Sequence, residues 1–305
     1  MTRSDDGDGQ AEVRVECVPV PVGMGTPGGT TNAYVIDVPE GRDRRRILVD
    51  PAARADDLDA VAFGGGTDGR DFDAAGLDAI AVTHTHPDHV GAVAAYAAET
   101  DATVYAHADH VNRFRGATGI EPDATIADGD VLESDAVGVL ETPGHAPDGL
   151  SFVVDSEGNG VAFEASNGTE AEHQADSGSI IVGDLAVASG SVAVAAPDGD
   201  LADYLESLER LRDRNAARLW PGHGPPIWDP EATSTRLIEH RLDRERRILE
   251  AIEDGASDVD AILEAAYAKD LTGVEDLARR TVVAHVEKLV SEGRIDRSWE
   301  SATGR

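Results

Sequence analysis

The chain has 305 residues, 41% of them hydrophobic, which is enough for one large domain beside a small one and excludes disorder throughout. Fifty-nine acids oppose twenty-six bases, of which only Lys269 and Lys288 are lysines, and the formal charge of −33 reads as halophilic adaptation to molar salt rather than as a clue to the substrate. No apolar run reaches the roughly 18–20 residues of a membrane span, residues 1–10 lack a secretory signal, and the single cysteine, Cys17, excludes an internal disulfide and any cysteine-based zinc cluster.

A cytoplasmic protein with no membrane partner is therefore expected. Residues 1–10 read as a disordered tail. Strand-like segments follow at 13–22, 32–38 and 46–50, with a glycine-rich loop at 23–29 between the first two. In the first of them Val15, Val18 and Val20 alternate around Cys17, which makes the thiol a packing group. Ile80 and Val82 form a buried strand that runs into Thr83-His84-Thr85-His86-Pro87-Asp88-His89, and 90–100 reads as a helix. Further strands are expected at 102–106, up to Glu141, at 150–155 and at 180–182. The polar stretch 156–179 between the last two reads as a surface insertion. Leu201, Tyr204, Leu205, Leu208 and Leu211 recur at helical spacing. A strand at 217–220 leads into Pro221-Gly222-His223-Gly224-Pro225-Pro226, and helices are expected at 237–252, 259–267 and 276–292. The proline-rich stretch 221–230 is the natural boundary between a domain at 11–228 and one at 229–305.

The chemistry sits at strand ends. On extended chain, residues i and i+2 point the same way, so His84 and His86 can share one cation. The turn at Pro87 redirects Asp88 and His89 towards a second position nearby. Imidazoles with a carboxylate suit borderline ions such as zinc. Three of the ten histidines fall within this one cluster. One segment cannot complete two coordination shells, and the other candidates follow the same plan of strand, glycine and one ligand-type residue: His145 after Gly144, Asp184 after Gly183, His223 after Gly222. Asp50 closes the strand Ile47-Leu48-Val49. His107, His110, His173, His240 and His285 are expected to be solvated or structural.

These segments, in this order from about residue 13 to 228, resemble the metallo-β-lactamase superfamily. The resemblance implies an α/β (α+β) fold, a four-layer αββα sandwich with the site along one edge of its two sheets. It also implies roles. His84, His86 and His145 would hold one Zn2+; Asp88, His89 and His223 would hold another; Asp184 would bridge them, and Asp50 would support the site from behind. Mn2+ or Fe2+ are alternative ions. Two such ions would share a water, lower its pKa to give a bridging hydroxide and polarise the scissile group, with Asp88 as the general acid–base.

The C-terminal segments Arg244-Glu245-Arg246-Arg247-Ile248-Leu249, Tyr267, Ala278, His285-Val286-Glu287-Lys288-Leu289 and Glu292-Gly293-Arg294-Ile295 resemble the winged-helix tail of the lactamase-β-like hydrolases, whose animal mitochondrial member is an endoribonuclease for single-stranded RNA. Pro197-Asp198-Gly199-Asp200 fits the same subgroup. A winged helix usually means nucleic acid, but residues 231–305 hold seventeen acids and twelve bases, which offers phosphates no broad basic face. The small C-terminal helical winged-helix domain would then cap the site or make a homodimer contact. A small ester or thioester is the first-choice substrate and single-stranded RNA the alternative. A regulator whose metal domain is only a scaffold ranks third, because no ligand position is lost.

Overall fold

Alternation along the strands decides the layering. In the computed structural model, which describes residues 12–23, 27–40, 43–63, 76–155, 178–267 and 271–299, β1 (Arg14–Pro21), β2 (Thr30–Glu40), β3 (Asp43–Val49), β4 (Ala79–Ala81), β5 (Thr103–His107) and β6 (Ala124–Ile126) form one sheet in that order. The expected tail at 1–10, residues 156–177 of the expected insertion, His173 and Lys269 lie outside the described residues. β1 to β3 pair antiparallel and β3 to β6 parallel. The second sheet runs in the order β11 (Arg218–Pro221), β10 (Ser179–Gly183), β9 (Leu150–Val154), β8 (Ser134–Glu141) and β7 (Val131–Leu132).

The inner faces meet through Tyr34, Ile36, Ile47, Val49, Ala79 and Ala81 from the first sheet and Val137, Val139, Phe152, Val154 and Ile181 from the second. Their sequence neighbours point outward and are also buried. Val35, Leu48 and Ile80 pack under α1 (Asp56–Ala62), α3 (Val93–Glu99) and α4 (Val111–Thr118) through Leu58, Val61, Val93, Tyr96 and Phe114. Leu140, Val153, Ile180 and Val182 pack under α5 (Leu201–Asp213) through Leu201, Tyr204, Leu208 and Leu211. Strands buried on both faces and covered by helices on both sides give a four-layer αββα sandwich.

The expected helix at 90–100 is two pieces, α2 (Pro87–Val90) and α3. The interruption is tertiary. Ala92 N–H donates to the carbonyl of Pro51 at 2.8 Å, and a Cβ on Gly91 would collide with the carbonyl oxygen of Ala52. The chain leaving β3 therefore crosses this helix at backbone distance, which only glycine allows.

α6 (Pro230–Glu253) begins at Asp229, whose carboxylate caps Ala232 N–H. It serves two clusters. Leu237 belongs to the core under α5, whereas Ile248 packs with α7 (Val259–Ala266) and α8 (Glu275–Ser291) through Val259, Ile262, Val282, Val286 and Leu289. Buried Glu245 fastens this group by accepting from Lys288 Nζ at 2.9 Å and from Arg294 Nη1 at 2.5 Å. Among the described residues no strand follows β11, and no helix is long and apolar enough to cross a membrane. Cys17 faces Tyr34 across the β1–β2 ladder, and burial pushes its thiol up to about 11 against the pull of the Tyr34 hydroxyl.

Candidate metal centre

β3, β4, β8, β10 and β11 each end on a ligand-type or supporting residue, and the ends lie together. His84 and His86 follow β4, with Asp88 and His89 in α2; His145 follows β8, Asp184 follows β10, His223 follows β11, and Asp50 follows β3. The edge is stitched across the two sheets. Leu150 N–H donates to Thr83 O at 2.7 Å, Asn32 N–H donates to Gly222 O at 2.8 Å, and the Tyr34 hydroxyl donates to Pro221 O at 2.5 Å.

All seven expected ligand positions come together. His84 Nε2 lies 3.0 Å from His86 Nδ1, and His145 Nε2 lies 2.9 Å from the same atom. On the other side His223 Nε2 is 3.6 Å from Asp88 Oδ2, and the His89 and His223 ring centroids are 5.3 Å apart. Asp184 reaches both sets. Its Oδ2 is 3.7 Å from His145 Nε2 and 3.4 Å from His223 Nε2, while Oδ1 is 3.6 Å from His89 Nε2. The groupings His84–His86–His145, His84–His89–Asp184 and Asp88–His89–His223 each bring their ligand atoms within 4.8 Å of one another.

Hydrogen bonds on the outer side fix the tautomers. His145 Nδ1–H donates to Ala193 O at 2.7 Å and His223 Nδ1–H to Thr30 O at 2.9 Å, since a carbonyl can only accept. His89 Nδ1–H donates to Asp50 Oδ2 at 2.9 Å. The Thr83 hydroxyl spends its proton on Asp50 Oδ2 at 2.7 Å, so at 3.1 Å it accepts from His84 Nδ1–H. Asp50 Oδ1 takes Thr83 N–H at 2.6 Å. Asp50 is fully buried and holds a positive φ of 53°, a conformation that costs energy in a non-glycine residue and marks a constrained site. The Nε2 atoms of His84, His89, His145 and His223 therefore face inward.

The electrostatics call for a cation. Burial, and then the neighbouring His89, His145 and His86, push His84 well below the usual imidazole range, and burial with His145 and Arg113 lowers His86. Burial works against a charge on His89 too, yet Asp50 beside Nδ1 and then Asp184 and Asp88 hold it up at about 9. Burial would raise Asp184, but the hydrogen bond to His223 and the charges of His89 and His145 keep its carboxyl below the usual range. His89 Nε2 and Asp184 Oδ1 are buried without a hydrogen-bond partner, which is costly unless something else satisfies them. Inward imidazole nitrogens, carboxylate oxygens and outward second partners form a donor set that fits a divalent metal ion.

His107, His110 and His285 belong to none of these groupings. His107 and His110 pack ring to ring at 4.8 Å, with His107 Nε2 3.4 Å from Glu141 Oε1, and His285 is fully buried in the face of α8. Sequence reasoning passed over Arg113 and Asp148. Asp148 accepts from Thr85 N–H at 3.0 Å and from the Thr85 hydroxyl at 2.5 Å, and Arg113 Nε reaches Asp148 Oδ1 at 3.1 Å. The placing of Asp148 three residues after His145 is the one available signal. α4, which carries Arg113, has no pattern that points to the site.

Residues 26–164 match the sequence model of the metallo-beta-lactamase superfamily. A Beta-lactamase-like protein 2 homolog of Drosophila melanogaster is 26% identical over 277 residues, 87% of this chain and 84% of that protein. An atrochrysone carboxyl ACP thioesterase of Aspergillus chevalieri is 25% identical over 284 residues, 87% of this chain and 77% of its own length. Among solved structures, a metallo-beta-lactamase family protein of Thermus thermophilus superposes with a TM-score of 0.65 at 22% identity, covering 92% of this chain and 95% of that one. That last likeness is one of fold.

Proposed function

We propose that this chain, which carries a metallo-beta-lactamase superfamily domain over residues 26–164, is a hydrolase that acts on a small ester or thioester with two divalent ions, zinc first among them. His84, His86 and His145 would hold one ion and Asp88, His89 and His223 the other, with Asp184 available to both sets of side chains. The single observation that carries this reading is the meeting of seven ligand-type side chains in which the outward nitrogens of His84, His89, His145 and His223 are already hydrogen-bonded while His89 Nε2 and Asp184 Oδ1 are buried inside without a protein partner.

Bound there, such ions supply a water that ionises near neutral pH and positive charge against the oxyanion that forms as the carbonyl is attacked. The protein's own groups do the rest. Asp88 would take the proton from the attacking water and return it to the leaving alcohol or thiol. Asp50 holds His89 and Thr83 in place, and the Ala193 and Thr30 carbonyls keep His145 and His223 from turning away. His86, Asp88, His145 and Asp184 are partly exposed whereas His84, His89 and His223 are buried, so substrate enters on the side of the first four. No serine or cysteine nucleophile stands in this cluster among the described residues, in keeping with direct attack by water.

Ester or thioester cleavage is preferred over RNA on two grounds. A relative matched over most of its length is named a thioesterase, and the helical segment beyond residue 230 offers phosphates no cationic surplus. A turnover screen in molar KCl decides the matter by comparing an acyl thioester, an activated ester, a phosphodiester and single-stranded RNA on one zinc-loaded preparation. The thioester and ester should turn over, stop with a chelator and recover with added zinc. Cleavage of RNA with the thioester untouched would reverse the choice.

A further inference from the structure

Four of the five histidines at the centre have their outward nitrogen bonded: His84 to Thr83, His89 to Asp50, His145 to the Ala193 carbonyl and His223 to the Thr30 carbonyl. His86 is turned the other way. Its Nδ1 faces His84 and His145, so Nε2 is the outward nitrogen, and 3.6 Å from it lies Asp198 Oδ2. Asp198 is in turn gripped by one side chain. Arg113 of α4 donates from Nη1 to Asp198 Oδ1 at 3.1 Å and from Nη2 to Oδ2 at 2.9 Å, a bidentate fork that fixes the carboxylate plane.

The same guanidinium also holds the backbone beneath His86. Arg113 Nε donates to Asp148 Oδ1 at 3.1 Å and to Thr85 Oγ1 at 3.0 Å. Asp148 binds both the N–H and the hydroxyl of Thr85, the residue between His84 and His86. One arginine thus ties the segment that carries the imidazole to the carboxylate that faces it. Asp198 is 44% exposed, and an ion pair that wet adds little to stability, so folding alone does not account for this chain of contacts.

We propose that Arg113 and Asp198 are positioning residues for His86: Asp198 takes Nε2–H, leaves the Nδ1 lone pair for the metal, and Arg113 sets the orientation of both. The proposal rests on the reading of His86 as a metal-binding residue. It completes a pattern in which every histidine of the centre has a second partner, and such partners are worth ~10–100-fold in metal affinity.

The test uses the full-length protein stripped of metal, titrated with Zn2+ by calorimetry and with Co2+ by visible absorption. Asp198→Asn should weaken one of two metal equivalents ~10–100-fold and change the Co2+ spectrum, with the metal-free melting temperature unmoved. Arg113→Gln should do the same, the double variant should lose no more than either alone, and Asp198→Glu should restore most of the affinity. Wild-type affinity and spectrum in Asp198→Asn would overturn the proposal, and this variant decides even if Arg113→Gln fails to fold. His145→Ala separates the two levels. If it loses an equivalent while Asp198→Asn loses none, only the positioning role fails; if neither loses any, the metal reading itself fails.

Discussion

At the scale of single residues, the centre is packed to its limit around Gly222. A Cβ at this position would stand 2.5 Å from Asp184 Oδ1 and 2.7 Å from His89 Cε1. Gly222 also passes its carbonyl to Asn32 N–H and takes Gly183 O with its own N–H, both at 2.8 Å, so the backbone cannot retreat. Gly222→Ala should therefore push Asp184 and His89 off their positions while leaving the sheets intact. Turnover is expected to fall ~100-fold, the usual cost of about 1 Å of misplacement at a reacting centre. Circular dichroism with steady-state kinetics checks this, and a Gly222→Ala protein with full turnover would show that Asp184 and His89 do not need their present places. Residues of this kind are half legible in the sequence. The glycine before His145, Asp184 and His223 announces a turn. That the missing Cβ of Gly222 makes room for a carboxylate at the end of β10 and an imidazole in α2 follows only from the fold.

At the scale of elements, legibility follows local pattern. Strands β2, β3, β4, β8, β10 and β11 stand out in the sequence because each is an apolar run ended by a turn signal and one polar residue, and the site could be assembled from those ends. α5 stands out by its leucine spacing. α1 and α4 do not, being short and rich in polar residues, and with α4 went Arg113. The break between α2 and α3 was equally hidden, because the backbone at Pro51 and Ala52 imposes it from a distant part of the chain. α6 makes a graded prediction possible. Its first half grips the loop behind His145: Arg236 Nη2 donates to Val187 O at 2.8 Å and Nη1 to Gly190 O at 2.5 Å, and Arg241 donates to Val192 O, next to the Ala193 carbonyl that holds His145. Leu237→Ala and Ile248→Ala each empty a fully buried position and should cost ~2–5 kcal/mol. Only Leu237→Ala should also lower turnover, since Ile248 packs against α7 and α8 instead. Denaturant midpoints and kinetics at one salt concentration test both halves, and equal kinetic damage from the two variants would sink the distinction.

At the scale of the whole molecule, a formal charge of −33 on 305 residues makes salt part of the fold's energetics. In dilute buffer the carboxylates repel one another over ~10–30 Å, and in molar salt over only about 3 Å. The melting temperature should rise between 0.1 M and 3 M KCl, and one that stays flat across that range would remove the link between the acidity and a salt-rich setting. The two-ion centre is tested most directly by anomalous X-ray scattering at the zinc edge from crystals of the zinc-loaded full-length protein. Two peaks are expected, one among His84, His86 and His145 and the other among Asp88, His89 and His223, with the Asp184 carboxylate between them. Zinc-loaded crystals with no peak at these side chains, or with one peak alone, would contradict the two-ion centre.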